Sequence, residues 1–286
     1  MLEVILNGLV LGGMYGLIAL GLNLQFGIAR MLNLSYGEFF MYGAFLALFA
    51  LTWYQLNPLL GAVVAVPLAF AINWLIYRYL FQPLIRRAPN RDALDADIVL
   101  VTFGLLFVFR GIAEVNLSGN AAGYDFLNFG VHIFGAIVPA NRLLAFAVSM
   151  VLGGALIVML RRTRFGSALR AIAIDPTAAG LIGINVQQLS ALAFALGGAL
   201  IAVSGVLVST FTTVSAGIGI VYTLKALIIV IVGGPGRMGG ALAAGILLGV
   251  AETVALQFAS GLTLAINYAI LILVLLIRPT GLFARG

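Results

Sequence analysis

The chain has 286 residues, 63% of them hydrophobic and 8% charged, with a mean hydropathy of +1.18, a balance that excludes an ordinary soluble globular domain. Apolar runs of about 20 residues recur along its whole length, so it reads as a polytopic helical membrane protein with no room for a soluble enzyme domain. Cysteine is absent, which removes disulfides and thiolate metal sites, and the formal charge of +6 falls between apolar runs, where it reports orientation rather than nucleic-acid binding.

The first apolar segment is predicted near residues 3 to 26. It has no basic flank and no small-residue cleavage site, so it reads as a retained span rather than a signal peptide, with Met1 as the mature N-terminus. Gly8, Gly12 and Gly16 line one of its faces at spacing four, and Gly236 with Gly240 and Gly245 with Gly249 repeat that spacing, the pattern of closely packed helices. Segments near 38 to 52 and 59 to 77 follow, then a basic cluster from Arg78 to Arg91 that includes Arg86 and Arg87. Two more segments are predicted near 97 to 115 and 142 to 160, joined by a loop with Asp125, His132 and Pro139. A second basic cluster runs from Arg161 to Arg170, with Arg162 and Arg164. Four runs close the chain, near 188 to 211, 218 to 233, 240 to 258 and 262 to 277, ahead of Arg278 and Arg285. The positive-inside rule assigns both clusters, Arg30 and the C-terminus to the cytoplasm, which puts the N-terminus and the loop around His132 outside.

That makes eight or nine hydrophobic segments, two of which are short for spans. At about 1.5 Å per residue, 38 to 52 and 218 to 233 cover roughly 22 to 24 Å of a core about 30 Å thick. Each follows a full-length segment and a polar, glycine-containing stretch, FGIARMLNLSYGEFF in the first half and FTTVSAGIGIVYTLKAL in the second. The preceding segments run in opposite directions, which predicts an inverted-topology repeat with interrupted helices. Its translocation pathway is then expected at Asn33, Ser35, Tyr36, Glu38, Thr223 and Lys225.

Charges inside apolar runs cost roughly 2.5 to 3.5 kcal/mol each on insertion scales, so they need partners. Arg110 and Glu114 are four apart and can pair on one helix face. Lys225, the only lysine, needs Glu252, Glu38 or an aqueous cavity. No phosphate-binding loop ends in that lysine, and GPGRMG at 234 to 239, although it has Gly-x-Gly-x-x-Gly spacing, follows no strand and reads as a tight turn. The only histidine, His132, is in the external loop, and no nucleophile and base are paired within the spans, so neither catalytic nor metal-binding residues are assigned.

GSALRAIAIDPTAAGLIGINV, residues 166 to 186, is the most polar interruption. Asp175-Pro176 is a helix start, with Asp175 as N-cap and Pro176 at the first helical position. A short helix through TAAGLI is expected to stop at Gly183, after another short helix that carries Arg170 on a polar face. The small Ala178, Ala179 and Gly180 suit docking into a protein groove better than gripping lipid.

LNGLVLGGMYGLIALGLNLQFGIARMLNLSYGEFFMYGAF, RAIAIDPTAAGLIGINVQQLSALAFALGGALIAVSGVL, TLKALIIVIVGGPGRMGGALAAGILLGVAE and LILVLLIRPTGLF follow one another along nearly the full length. Together they resemble the LivH-type permease subunits of branched-chain amino acid ABC importers. The resemblance implies a single transmembrane permease domain over residues 1 to 286, in the bacterial inner membrane. It makes the loop at about 161 to 187 a coupling element, with Arg170, Asp175, Pro176, Ala178, Ala179 and Gly183 facing a cytoplasmic ATPase. The chain would hold no cofactor, since ATP and Mg belong to two partner ATPase subunits. A second, LivM-type permease, a periplasmic or lipid-anchored substrate-binding protein and membrane lipid complete the implied partners. One departure stands out. Many members of the family read Asn-x-Ala-His-Gly where this chain has Asn33-Leu34-Ser35-Tyr36-Gly37, and relatives carry urea, short amides and other small solutes besides hydrophobic amino acids. The rival reading is an ion-coupled secondary transporter of a small polar solute, with Lys225, Glu38 and Glu252 as coupling sites.

Overall fold

A lipid core offers no water to an unpaired amide, so a chain this apolar satisfies its backbone in helices. The computed structural model describes residues 2–29, 31–117, 121–133, 135–258, 262–278 and 281–283; Arg30 and Arg285, used in the charge map, lie outside them. In chain order the helices are α1 (Leu2–Ala29), α2 (Tyr36–Thr52), α3 (Gly61–Ile76), α4 (Gln82–Arg87), α5 (Arg91–Leu117) and α6 (Ala140–Arg162). They continue with α7 (Arg164–Ile174), α8 (Pro176–Leu181), α9 (Val186–Ser209), α10 (Ile218–Gly233), α11 (Met238–Phe258) and α12 (Leu262–Ile277). Among the described residues six helical runs are long and apolar enough to cross a membrane, and α2, α10 and α12 are shorter apolar helices.

Two features depart from the expected pattern. The third segment does not stop near residue 77: a π-helical turn at Tyr77–Phe81 joins α3 to α4, and the run continues to Arg87. Arg78 sits on that helix with its guanidinium 5.2 Å from the Trp74 ring, so the first arginine of the cluster lies along the helix instead of ending it. The loop around His132 is also more ordered than an all-helical reading allows. It holds an antiparallel hairpin, β1 (Gly130–Ile133) and β2 (Ala136–Pro139), with Gly135 at φ +84° in the turn. Strands of four residues are too short for alternation to stand out in sequence, although Ala136 and Val138 do face inward and Ile137 outward.

The packing is built on glycine. Gly8, Gly12 and Gly16 of α1 meet α11 along its Gly245 and Gly249 face, and the partner numbers fall as those of α1 rise, so the helices are antiparallel. The spacing-four faces found in sequence therefore pack on each other. α9 is buried along most of its length and touches α1, α2, α3 and α6. One end of the molecule carries the hairpin; the other carries Arg161, Arg170 and Arg237.

Substituting Gly12 with valine is expected to destabilise the protein by about 1 to 3 kcal/mol, the usual range for overpacking. A side chain there starts 2.5 Å from the Ile246 Cα and 2.9 Å from the Gly245 carbonyl oxygen. Gly104→Ala meets nothing within 4 Å and is the neutral control. Thermal denaturation of the purified protein checks both.

Candidate functional site

The two short helices begin beside one another. After α1 the chain turns back at residues 31–35, and α2 starts level with the middle of α1, where the Tyr36 hydroxyl donates to the Ile18 carbonyl at 2.8 Å. After α9, residues 211–217 turn back from the hairpin end and α10 starts against α2. The Gly37 amide donates to Thr223 Oγ1 at 2.8 Å, and the Phe40 and Tyr222 rings stack with centroids 3.9 Å apart. A Cβ on Gly37 would collide with the Gly219 carbonyl oxygen and one on Gly219 would lie 2.9 Å from the Gly37 carbonyl oxygen, so glycine at both positions permits this approach. The turn into α2 is held by Asn33, whose Oδ1 accepts from the Ser35 amide at 3.1 Å and from its hydroxyl at 2.8 Å.

Glu38 is 1% exposed, and its Oε2 has no hydrogen-bond partner among the described residues. It lies in the first turn of α2 and against the start of α10. Each helix N-terminus carries roughly half a positive charge, so the carboxylate sits where two such ends converge. Lys225 does not reach it. Its Nζ donates to both Glu252 oxygens, at 2.7 and 3.0 Å, and to the Tyr15 hydroxyl at 2.5 Å, over the Tyr15 ring at 4.6 Å. Of the two acids open to Lys225 in the sequence, the structure pairs Glu252, and the pair bridges α1, α10 and α11. Arg110 and Glu114 pair along α5 at 2.9 Å, as their spacing implied.

Five of the six residues expected to line a pathway, Asn33, Ser35, Tyr36, Glu38 and Thr223, lie at this junction, while Lys225 turns to Glu252 on α11; all six are buried. Of the cavities that open elsewhere, two lie at opposite ends of the molecule. One, of about 400 Å³ at the hairpin end, is lined by Tyr124, Asp125, Asn141, Arg142 and Thr212 among others. The other, of about 520 Å³, lies at the arginine-rich end. Neither is lined by any of the six. The sequence reading also missed Gln25 and Asn73, both fully buried. Gln25 donates to the Phe194 carbonyl at 2.8 Å and to Asn73 Oδ1 at 3.4 Å, and accepts from Asn33 at 3.3 Å, joining α1, α3 and α9. The signal was available, since each is an amide inside an otherwise apolar run.

At the arginine-rich end the polar interruption forms a knob of two helices. Thr163 caps α7 by accepting from the Gly166 amide at 3.1 Å. Asp175 caps α8 by accepting from the Thr177 and Ala178 amides at 2.8 and 3.1 Å, with Pro176 in the first turn. Gly183 takes φ +86° just past the end of α8, and the Ile184 amide returns to the Ala179 carbonyl at 3.1 Å. The expected helix start and stop are both present. The small residues do not share one exposed face. Ala178 is exposed, but Ala179 points inward at 2% exposure, because the returning chain at Ile184 closes over that side of α8. The exposed apolar tips are Ile174, Leu181 (85%) and Ile182 (75%), which the sequence reading did not single out. Arg170 is exposed but committed, donating to the Leu160 carbonyl at the end of α6 and to Ser167 Oγ at 3.0 Å. The GPGRMG stretch is a tight turn joining α10 directly to α11, with Gly234 and Gly236 at φ +88° and +79° and the Gly236 amide donating to Asn23 Oδ1 at 2.6 Å.

The family profile described as the branched-chain amino acid transport system / permease component matches residues 4–277. The chain belongs to this permease family. It is 31% identical to the high-affinity branched-chain amino acid transport system permease protein LivH of Escherichia coli (strain K12), and 30% identical to the corresponding protein BraD of Pseudomonas aeruginosa. Both alignments cover 99% of this chain and 96% of the relative. A solved structure of PsaBC from Streptococcus pneumoniae in complex with Fab shares the fold, with a TM-score of 0.52 at 15% identity, covering 96% of this chain and 92% of that one. The protein is thus a multi-pass inner-membrane permease subunit of an ABC importer. In this permease the Tyr36 hydroxyl is bound to the Ile18 carbonyl.

Removing one member of the buried ion pair is expected to cost about 3 to 5 kcal/mol, because it strands the other charge. Lys225→Met should therefore lower the denaturation temperature sharply, and Lys225→Met with Glu252→Leu should recover most of the loss. Equal losses in the single and double variants contradict the pairing.

Proposed function

We propose that this permease carries a branched-chain or other hydrophobic amino acid by alternating access around the junction of α2 and α10, driven by ATPase subunits that act on the α7–α8 knob. The observation that carries the reading is the knob itself: two capped helices that present Ile174, Leu181 and Ile182 to the outside at the arginine-rich end. Exposed apolar side chains at the tip of a rigid element suit a protein groove. In this reading Arg170 and Asp175 shape the knob and Ala178, Leu181 and Ile182 make the contact, with residues 161–187 as one coupling unit. The arginine-rich end and the C-terminus are cytoplasmic, and the N-terminus and hairpin face outward. Two ATPase subunits hold ATP and Mg, a LivM-type permease completes the pathway, and a periplasmic or lipid-anchored binding protein delivers the solute.

An inverted repeat is supported by the pairing of helices. If α1, α2 and α3 correspond to α9, α10 and α11, the contact of α1 with α11 matches that of α9 with α3. In the same way α1 with α10 matches α9 with α2, and α2 with α3 matches α10 with α11. α1 against α9 and α2 against α10 are then the self-matching contacts on the pseudo-twofold axis. The Tyr36 departure leaves the amino-acid reading intact, because a side chain bonded to α1 and fully buried is scaffold. Lys225 and Glu252 satisfy one another, which weakens the ion-coupled alternative.

Uptake of labelled leucine into proteoliposomes that hold the full set of subunits and the binding protein tests the function. Leu181→Asp with Ile182→Asp should cut ATP-dependent uptake at least tenfold while leaving membrane insertion unchanged. Ion-driven uptake by the isolated chain, or unaltered uptake in that double variant, counts against the reading.

A further inference from the structure

We propose that the arginine-rich end contains a binding site for the phosphate of an anionic phospholipid, set between α1, α6, α7 and the turn ahead of α11. The cavity there holds about 520 Å³, and its charged lining is Arg161, Arg170 and Arg237, with no acidic residue on its wall. The three come from separate elements: Arg161 from the last turn of α6, Arg170 from the middle of α7 and Arg237 from the α10–α11 turn. The positive-inside rule accounts for arginines at this end of the molecule, but it gives no reason for three of them to share one concave wall. Like charges held together without an anion repel, and the ion pairs among the described residues, Arg91 with Asp95, Arg110 with Glu114 and Lys225 with Glu252, use none of the three.

Two of the guanidinium groups are positioned in advance. Arg170 bonds the Leu160 carbonyl and Ser167, and Arg237 bonds the Phe283 carbonyl. A guanidinium has five N–H donors in a planar fork that matches phosphate oxygens, so these bonds orient each fork and leave donors to spare. The rest of the wall selects among phosphates. Ile157, half-buried, and Phe283, 43% exposed, line the same cavity, and a small soluble anion would leave them in water. A phosphodiester with glycerol and acyl carbon behind it covers both halves. Basic pockets between membrane helices on the cytoplasmic side take anionic headgroups for this reason. The assignment rests on the orientation proposed above and is independent of the transported solute. Because Arg170 and Ala173 belong to α7, an occupied site joins the knob to α6 and to the α10–α11 turn, so it would stiffen the element on which the ATPase acts.

Native mass spectrometry of the assembled transporter, exchanged into detergent with phosphatidylglycerol, cardiolipin or phosphatidylcholine, tests this. One anionic lipid should stay bound, phosphatidylcholine should not, and millimolar inorganic phosphate should not displace it. Arg161→Gln with Arg237→Gln should lower retention at least fivefold, while Arg161→Lys with Arg237→Lys keeps an intermediate level and Arg78→Gln, outside the cavity, retains the wild-type level. Equal retention in the glutamine variant, or equal retention of phosphatidylcholine, overturns the proposal. Displacement by inorganic phosphate overturns the lipid assignment in favour of a soluble anion. Loss of ATPase subunits from the glutamine variant, with lipid still bound, assigns the cavity to the subunit interface instead. None of these readouts depends on leucine uptake, so failure of the transport reading and failure of this one can be told apart.

Discussion

Gly37 and Gly219 bring the backbones of α2 and α10 together where both helices start, and much of the surrounding structure makes that contact tolerable. Two helix N-termini placed together oppose one another, each with a partial positive charge and unpaired amides. The chain answers with acceptors. Thr223 Oγ1 takes the Gly37 amide, Asn33 Oδ1 takes the Ser35 amide, and the Glu38 carboxylate lies between the two ends. The returning segments are satisfied in the same way: Ala122 and Val214 exchange both of their backbone bonds, at 2.9 and 2.7 Å. Irregular backbone at membrane depth is tolerated only where protein supplies its partners, and those of Gly37 and Val214 come from distant parts of the chain.

Two buried acids in the apolar interior are stabilised by different physics. Glu252 of α11 is held by a cation, a hydrogen bond and the surrounding rings, with Lys225 and Tyr222 of α10 and Tyr15 of α1 gathered around it. Glu38 has no such bonded cation among the described residues and lies in the first turn of α2 beside the start of α10, where helix N-termini favour negative charge. A buried ion pair is weak evidence for net stability, since desolvation offsets most of the attraction, but it specifies register strongly because neither charge can be left alone. Lys225 and Glu252 thereby lock α10 to α11 at one register, and the glycine faces of α1 and α11 set the third side of that group.

Much of this was legible in the sequence, for reasons that can be named residue by residue. The bounds of α10 and α12 coincide with the apolar runs predicted at 218 to 233 and 262 to 277, because charge and glycine mark both ends of each. Asp175, Pro176 and Gly183 act through bonds to their own neighbours, so their roles are visible in local order alone. What was not legible depends on distant partners. Choosing Glu252 over Glu38 for Lys225 requires knowing which helices touch. The inward turn of Ala179 depends on the path of Ile184, and the role of Arg170 depends on the end of α6 ten residues earlier. The hairpin and the π-turn were hidden by shortness, since four or five residues carry too little periodicity to be read.

α9 is the direct connection between the knob at one end and the junction of α2 with α10. Only residues 182–185 separate α8 from α9, and Asn185 caps α9 by accepting from the Gln188 amide at 3.1 Å, so the two helices are closely linked. At about 1.5 Å per residue its 24 residues make a rod of roughly 36 Å, enough to cross the membrane. Along that rod the Phe194 carbonyl holds Gln25 of α1, Gly198 abuts Asn73 of α3, and Gly205 abuts the Phe40 carbonyl of α2. Of these contacts the one at Gly205 is backbone against backbone, with no side chain between α9 and α2, while Gln25 and Asn73 meet α9 through buried amide side chains. Its far end leads straight into residues 211–217 and the start of α10. α8 is therefore connected to both halves of the junction through one helix, by contact at α2 and through the returning segment at α10.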